Sequence, residues 1–410
     1  MIPMKQMQIK SNSKVLIVSQ HFPPEKSANA FRTYEMAEHL NKLGSQITII
    51  SPYPTFPYTV FEKVWRLRSY DEINNIHLLN IWNWQPNSRD PGFLSRILYY
   101  IIFPLHALIW VLKCKKQFDI IITSNPPIFT SIPGLFSKVF LRKKWIIDLR
   151  DLWLDASISL GFMEENSVLD KISRIYEKIC YLKADIILVA TKKTGKSIYD
   201  KYKLNKNMLL VTNGVDIEKF KLNKKIKKKN QIIFIGNVGH VMELENCILA
   251  IPDIRKVHDI KLIIVGDGDK REKLEKLVKS KNLNDFVIFK GLVQREQIPP
   301  IISESLVGIS PTKELSTLEY VIPVKVLEYM ACGIPFLACG CGEIIDLQKK
   351  SNAGIVVENN PDNIAKGIIN LLNNPEKLTS MGKMGKEHIN QNYNRADIFL
   401  KLNDSINDIN

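Results

Sequence analysis

Glu328 is the residue whose setting most needs a chemical explanation. It lies in the run Ile322-Pro323-Val324-Lys325-Val326-Leu327-Glu328-Tyr329-Met330-Ala331-Cys332-Gly333-Ile334-Pro335. The run predicts a helix that opens after Pro323, stops at Gly333 and feeds a buried strand. A carboxylate in the middle of so apolar a helix needs a partner, because burying it alone is costly. Ribose hydroxyls would satisfy it. A salt bridge to a lysine would also do so, and Lys325, three positions earlier, shares its face. The residues alone leave both open.

A second charged group closes a strand at Asp148-Leu149-Arg150-Asp151-Leu152-Trp153. Asp151 could take a hydroxyl proton or hold an acceptor, with Arg150 beside it. The alternative is a structural Arg–Asp pair. Glycine turns follow apolar runs at Gly236-Asn237-Val238-Gly239-His240, Gly266-Asp267-Gly268-Asp269 and Phe289-Lys290-Gly291-Leu292-Val293. The first lets backbone amides approach a phosphate, though Gly-x-x-Gly is also an ordinary tight turn. The Asp-Gly-Asp of the second could pass for metal-binding aspartates, but a turn after a strand is the better reading.

The elements that must position these residues alternate in type. Residues 14–19 read as a strand, 29–44 as a helix ending at Gly44, and 46–51 as a second strand, which is a β-α-β unit. Further apolar runs stand at 120–124, 144–149, 184–191 and 208–214, and, after a lysine-rich connection, at 231–236, 261–266, 285–291, 306–311, 334–340 and 353–357. They lack polar alternation, as strands buried on both faces do. The expected fold is α/β, with two doubly wound Rossmann-like domains facing a central cleft. The expected divisions are 1–215, 216–385 and a helical tail, 386–410, packing back on the first domain. Ligands in such sheets bind at the carboxyl ends of the strands.

Composition narrows the partners. Of 410 residues, 45% are hydrophobic and 24% charged, which excludes disordered, collagenous and coiled-coil classes. The formal charge of +15 favours anionic partners, such as nucleotides, lipid phosphates or a phospholipid surface. The run Lys224, Lys225, Lys227, Lys228 and Lys229 reads as a solvated loop, and no nucleic-acid-binding module is evident. The cysteines fit a reduced, cytoplasmic chain, and Cys339-Gly340-Cys341 lacks zinc spacing, so no metal is expected. No secretory signal is evident. The most apolar stretch, 97–112, is shorter than a membrane span needs and contains Pro104 and His106. Buried core is its default reading, and a place in a membrane interface is the alternative.

Together these segments resemble glycosyltransferase family 4, retaining enzymes with the GT-B fold. The resemblance covers nearly the whole chain. It runs through HFPPEKSANAFRTYEMAEHL, SNPPIFTSIPG, DLRDLW, VTNGVD, IGNVG, IIVGDGD, VIFKGLV and, most specifically, KVLEYMACGIPFLACGCGE. The variant with IPVKVLEYMACG looks closest to transferases of capsule, O-antigen and exopolysaccharide synthesis. The resemblance implies that Glu328 binds the donor ribose and that Gly236, Asn237 and Gly239 face the diphosphate. Gly291, Leu292 and Val293 would line the base pocket, and Gly266 joins the donor-binding set. Arg150 and Asp151 would lie on the acceptor side. Ser27 and Asn29 would stand near phosphate at a helix N-terminus.

The chain departs from the family pattern in its glutamate pair, with Tyr320 at the first site and Glu319 next door. Asn237 stands where an arginine is usual, and Ser27, Ala28 and Asn29 replace glycines of the first loop. Lys325 is the substitute cation for the leaving diphosphate. The implied reaction takes a sugar from a UDP- or GDP-sugar to a glycan or polyprenyl-diphosphate-linked acceptor, with retention and without cofactor or metal. Peripheral association with the anionic inner face of the cell membrane is a further expectation. The alternatives are a nucleotide-sugar epimerase on the same fold and a non-catalytic partner in a polysaccharide assembly complex.

Overall fold

The computed structural model describes residues 13–409, apart from 26, 89–90, 160, 205–206, 221–225 and 316–317. Lys224 and Lys225 of the basic run therefore lie outside the described residues. The chain forms two compact units. The first comprises residues 1–211 with 398–410, and the second 212–397.

In the first unit the elements are β1 (Lys14–Ser19), α1 (Ala28–Lys42), β2 (Gln46–Pro52), β3 (Arg68–Ile73), β4 (Ile76–Ile81), α2 (Phe93–Lys113), β5 (Ile120–Asn125), α3 (Ile132–Phe140), β6 (Lys144–Leu149), α4 (Trp153–Ser159), α5 (Val168–Lys183), β7 (Ile186–Val189), α6 (Lys192–Tyr202) and β8 (Met208–Leu210). The sheet runs β3-β4-β2-β1-β5-β6-β7-β8. Its strands pair in parallel, save for the antiparallel β3–β4 edge. Strand order reverses at β1, so the switch point lies between β1 and β5.

The second unit continues with β9 (Gln231–Ile235), α7 (Leu244–Arg255), β10 (Lys261–Val265), α8 (Arg271–Ser280), β11 (Val287–Gly291), α9 (Ile298–Glu304), β12 (Val307–Pro311), α10 (Val324–Ala331), β13 (Phe336–Cys339), α11 (Glu343–Ser351), β14 (Gly354–Val356), α12 (Pro361–Leu372) and α13 (Pro375–Asn392). Its parallel sheet runs β11-β10-β9-β12-β13-β14. Apolar cores cover both faces, one against α7 and α12, the other against α10. The last helix, α14 (Arg395–Ile409), lays Ile398, Phe399, Leu402 and Ile406 into the core of the first unit.

The divisions differ from those expected. They fall at 211/212 and 397/398 rather than 215 and 385. Val215 pairs with Asn394, and Arg395 donates to the Gly214 carbonyl, so both crossing segments are tied within the second unit. Helix α13 packs on α10 and stays there too.

The β3–β4 hairpin has no counterpart among the expected strands. The residues of β3, RSYDEI, are mostly exposed and show no apolar alternation. Asn74 and Asn75, both at positive φ (52° and 62°), close the hairpin in the manner of a primed turn. Helix α2 is also longer than the apolar run suggested, 21 residues, because Phe93 to Arg96 join its first turn. It is long and apolar enough to cross a membrane by length and composition. One face, with Tyr99, Phe103, Ala107 and Val111, is buried, while Leu105, Ile109 and Leu112 are exposed.

Candidate functional site

The glycine turns of the second unit stand side by side, because β9, β10 and β11 are neighbours in the sheet. Backbone hydrogen bonds stitch them together. Gly236 N–H donates to Val265 O (2.9 Å), Val238 N–H to Asp267 O (3.0 Å) and Gly266 N–H to Gly291 O (2.9 Å). Only glycine fits at 266. Its φ is +136°, and a Cβ would lie 1.9 Å from the Gly236 carbonyl oxygen. Gly236 and Asn237 are exposed at the tip, while Val238 and Gly239 are buried beneath it. Asp267 caps its own turn through Gly268 N–H (2.8 Å) and pairs with Arg271 (3.4 Å). Among the described residues no cluster of His, Cys, Asp or Glu could hold a metal ion.

Helix α10 brings the charged residues to these turns. Its Tyr329 hydroxyl accepts from Ile235 N–H (3.1 Å) and donates to Ile309 O (3.2 Å), pinning the helix to β9 and β12. The ring fits because residue 308 is glycine, where a Cβ would sit 2.2 Å from it. Lys325 lies one turn before Glu328. Its Nζ is 3.9 Å from the centre of the Phe234 ring and 3.4 Å from Met242 Sδ. A Cβ at Gly236 would be 3.4 Å from that Nζ, so the cation sits directly beside the first turn. Burial of the ammonium pushes its pKa down to about 7, with Glu328 opposing.

Glu328 is 4% exposed. Its partner is an arginine, not the lysine that shares its face. Arg295, in a 3-10 turn at Arg295–Gln297, donates to Oε1, and its guanidinium lies 4.6 Å from the Phe220 ring. Arg295 follows the Gly291-Leu292-Val293 turn, and Leu292 and Val293 are half-buried. The arginine was not among the expected site residues. Its only local signal is its place in the polar stretch Gln294-Arg295-Glu296-Gln297.

The remaining expected residues belong to the first unit. Asp148, next to last in β6, is fully buried and gripped by Arg32, whose Nη2 lies 2.8 Å from Oδ1. Burial alone would raise its pKa, but Arg32 and then Arg150 outweigh it and hold the carboxyl below its usual range. Arg150 is buried, donates to Ser124 Oγ (2.5 Å) and Asn125 O (3.3 Å), and leaves Nη1 without a partner among the described residues. Burial pulls its pKa down to about 10, against the pull of Asp148. Asp151 is half-buried, and burial raises its pKa despite Arg150 and Arg32. The structural Arg–Asp pair is thus Arg32–Asp148, which frees Asp151 from that duty.

In the loop after β1, Glu25 accepts from Thr55 N–H (2.7 Å), Phe56 N–H (2.8 Å) and His21 Nδ1 (2.7 Å). These bonds hold the first loop against residues 55–56. Ser27 caps α1 by accepting from Ala30 N–H (3.1 Å), and Asn29 lies in the first turn. All six cysteines are free thiols. Of the basic run, Lys228 and Lys229 are exposed but tied at their tips to Ser305 O and Glu304.

Two mostly parallel α/β sheets, the second with glycine turns at its carboxyl end, define a class, and comparison with known proteins gives it a name. Sucrose-phosphate synthase from Thermosynechococcus elongatus superposes with a TM-score of 0.75 at 16% identity, over 97% of this chain and 99% of that one. HepE from Anabaena in complex with UDP-glucose does so at 0.70 and 13%, over 96% and 99%. The fold is GT-B, with two Rossmann-like units. Residues 215–388 match the family described as Glycosyl transferases group 1. An uncharacterised glycosyltransferase of Methanocaldococcus jannaschii is 26% identical over 407 residues, 93% of this chain and 95% of that protein. Chitobiosyldiphosphodolichol beta-mannosyltransferase of Debaryomyces hansenii is 25% identical over 309 residues, 67% and 64%. The chain is thus similar to glycosyltransferases over nearly its whole length, and its second unit carries the match to the group 1 family.

Proposed function

We propose that the chain is a retaining transferase of hexosyl or N-acetylhexosaminyl groups. Its donor is a UDP- or GDP-sugar, and its acceptor a polyprenyl-diphosphate-linked or polysaccharide glycan of the cell surface. One observation carries this reading: Lys325 and Glu328 stand one helical turn apart beside the stitched glycine turns at the carboxyl end of one sheet. That arrangement offers a cation and free amides to a diphosphate and a carboxylate to a ribose.

In the reaction the acceptor oxygen bonds to the anomeric carbon as that carbon's bond to the phosphate oxygen breaks. The electron pair leaves with the nucleoside diphosphate, whose phosphate takes the hydroxyl proton. Lys325 and the amides around Asn237 and Gly239 stabilise the growing phosphate charge. Gly266 gives the turns their close approach, Gly291, Leu292 and Val293 line the base, and Glu328 Oε2 accepts from the ribose. Asp151 and Arg150 hold the acceptor, and the α1 N-terminus at Ser27 and Asn29 offers amides to a phosphate.

The basic balance and the exposed apolar residues of α2 support a cytoplasmic enzyme lying on the inner face of the membrane, where a lipid-linked acceptor resides. A solved relative binds UDP-glucose, and another relative is named for a diphosphodolichol substrate. Both support the donor and acceptor classes.

A panel of nucleotide-sugars tests the donor by thermal shift, since a ligand that binds only the folded state raises the melting temperature. A UDP- or GDP-sugar is expected to do so. Transfer to a polyprenyl-diphosphate-linked acceptor, with the anomer read by NMR, tests the rest. No shift with any nucleotide overturns the donor reading, and an inverted product overturns retention. Conversion of the donor without acceptor makes the protein an epimerase.

A further inference from the structure

We infer that the outward face of α5, with the end of α3 beside it, is the surface on which this chain sits in an anionic lipid layer. This deepens the reading of a membrane-bound acceptor and depends on it, but not on the donor chemistry. The ground is the polarity of α5, which is inside out. Its only two carboxylates, Asp170 and Glu177, are buried, along with Ser173. Val168, Ile172, Ile175, Ile179 and Leu182 are exposed, the first three by 74, 60 and 62%. They recur in steps of four, three, four and three residues, so they form one continuous stripe along the helix.

The inversion is built in. Asp170 accepts from Asn166 N–H (3.0 Å) and pairs with Arg174 (3.0 Å). Glu177 accepts from the Tyr181 hydroxyl (3.1 Å) and from Tyr202. Rolling the helix to bury the isoleucines would break this network and leave the Tyr181 and Tyr202 hydroxyls without their acceptor. Helix α3 packs against both α2 and α5, and ends in exposed Val139 and Phe140. So long a row of exposed branched residues marks an interaction surface rather than ordinary exposure.

Charge identifies the occupant. Lys171, Lys178 and Lys183 flank the stripe on α5, and exposed Arg142 follows α3. Lys113, Lys115 and Lys116 are exposed at the end of α2. These helices each lead into neighbouring parallel strands, so their C-terminal ends share one edge of the sheet. Glu164 and Glu165 stand ahead of the first turn of α5, outside the stripe. A two-fold contact with a second copy would bring like charges together. Anionic headgroups meet the lysines while acyl chains meet the isoleucines.

The test is co-sedimentation with phosphatidylcholine vesicles, with and without phosphatidylglycerol, in the absence of nucleotide and acceptor. Wild type is expected to pellet with the anionic vesicles, and the Ile172→Asp/Ile175→Asp variant to lose roughly tenfold or more of that binding. An Ile175→Trp variant checks insertion independently, since it should gain fluorescence quenching by brominated phospholipid over wild type. Pelleting of the double variant like wild type, or no added quenching at 175, overturns the inference. A wild-type dimer that the double variant splits assigns the face to a second copy and overturns it as well. Because no nucleotide is present, failure here leaves the donor reading standing, and a failed thermal-shift panel leaves this one standing.

Discussion

Glu328 and Lys325 sit one turn apart on the same helix yet answer to different surroundings, and each can be tested separately. Glu328→Ala removes the carboxylate proposed for the ribose and strands Arg295. Hydrogen bonds to a charged group contribute about 1.5–3 kcal/mol. Donor affinity is therefore expected to fall on the order of 10- to 100-fold by calorimetry. Unchanged affinity would refute the ribose role. Lys325, with its pKa near 7, is charged below that pH and neutral above it. A bound diphosphate raises the pKa, so binding takes up a proton above pH 7. Affinity is expected to be flat below pH 7 and to weaken as pH rises, and Lys325→Met should flatten the profile. The fold responds oppositely. An unfolded lysine keeps its proton up to about 10.5, so between about 7 and 10.5 this residue lets native stability rise with pH. Asp151→Asn is expected to weaken use of the acceptor by roughly 10- to 100-fold, the loss of one hydrogen bond to a charged group, while leaving donor affinity unchanged. A parallel loss of donor affinity would remove Asp151 from the acceptor side. The acidic partner roles were only half legible. Glu328 stood out because it interrupts an apolar run, but Arg295 is 33 residues away, and no local pattern joins them.

At the scale of elements, the second unit shows why strands and turns read well. Isoleucine- and valine-rich runs closed by glycine are local signals, and β9, β10 and β12 fall within a residue or so of the apolar runs. Helix α10 begins after Pro323 and stops at Gly333, which has a φ of +70°, as its own residues dictate. Its precise seat is another matter, since the Tyr329 hydroxyl bridges two strands that are remote in sequence. Tyr329→Phe leaves Ile235 N–H unsatisfied and is expected to cost about 1–3 kcal/mol in denaturant unfolding. It should also weaken donor binding, since Lys325 and Glu328 ride on the same helix. A variant with wild-type stability would show that the bridge contributes nothing. Strand β3 was illegible for the converse reason. Lying at an edge, it buries little, so selection for apolar alternation is weak there.

For the whole molecule, the telling feature is that the chain leaves the first unit after Val211 and returns to it at Ile398. Helix α14 completes a core laid down nearly four hundred residues earlier, with Ile398, Phe399, Leu402 and Ile406 buried beside residues of β1 and α1. Each such side chain contributes on the order of 1.5–3 kcal/mol when buried. A chain truncated after Asp397 is therefore expected to melt markedly earlier by calorimetry, with a first unit prone to aggregate. A truncated protein with the wild-type melting profile would show that α14 is dispensable.

The amino-acid order by itself determined the alternation of strands and helices, the doubly wound class, the places of the glycine turns and the oddity of Glu328. All are read over a few neighbouring residues, through periodicity, steric freedom at glycine and the cost of a charge in an apolar run. Only the tertiary structure decided that Arg295 answers Glu328, that Asp148 rather than Asp151 is the carboxylate gripped by Arg32, and that α5 turns its isoleucines outward. Helical periodicity shows that a stripe exists but not which side faces the core, because that depends on which partners the folded chain brings to each face.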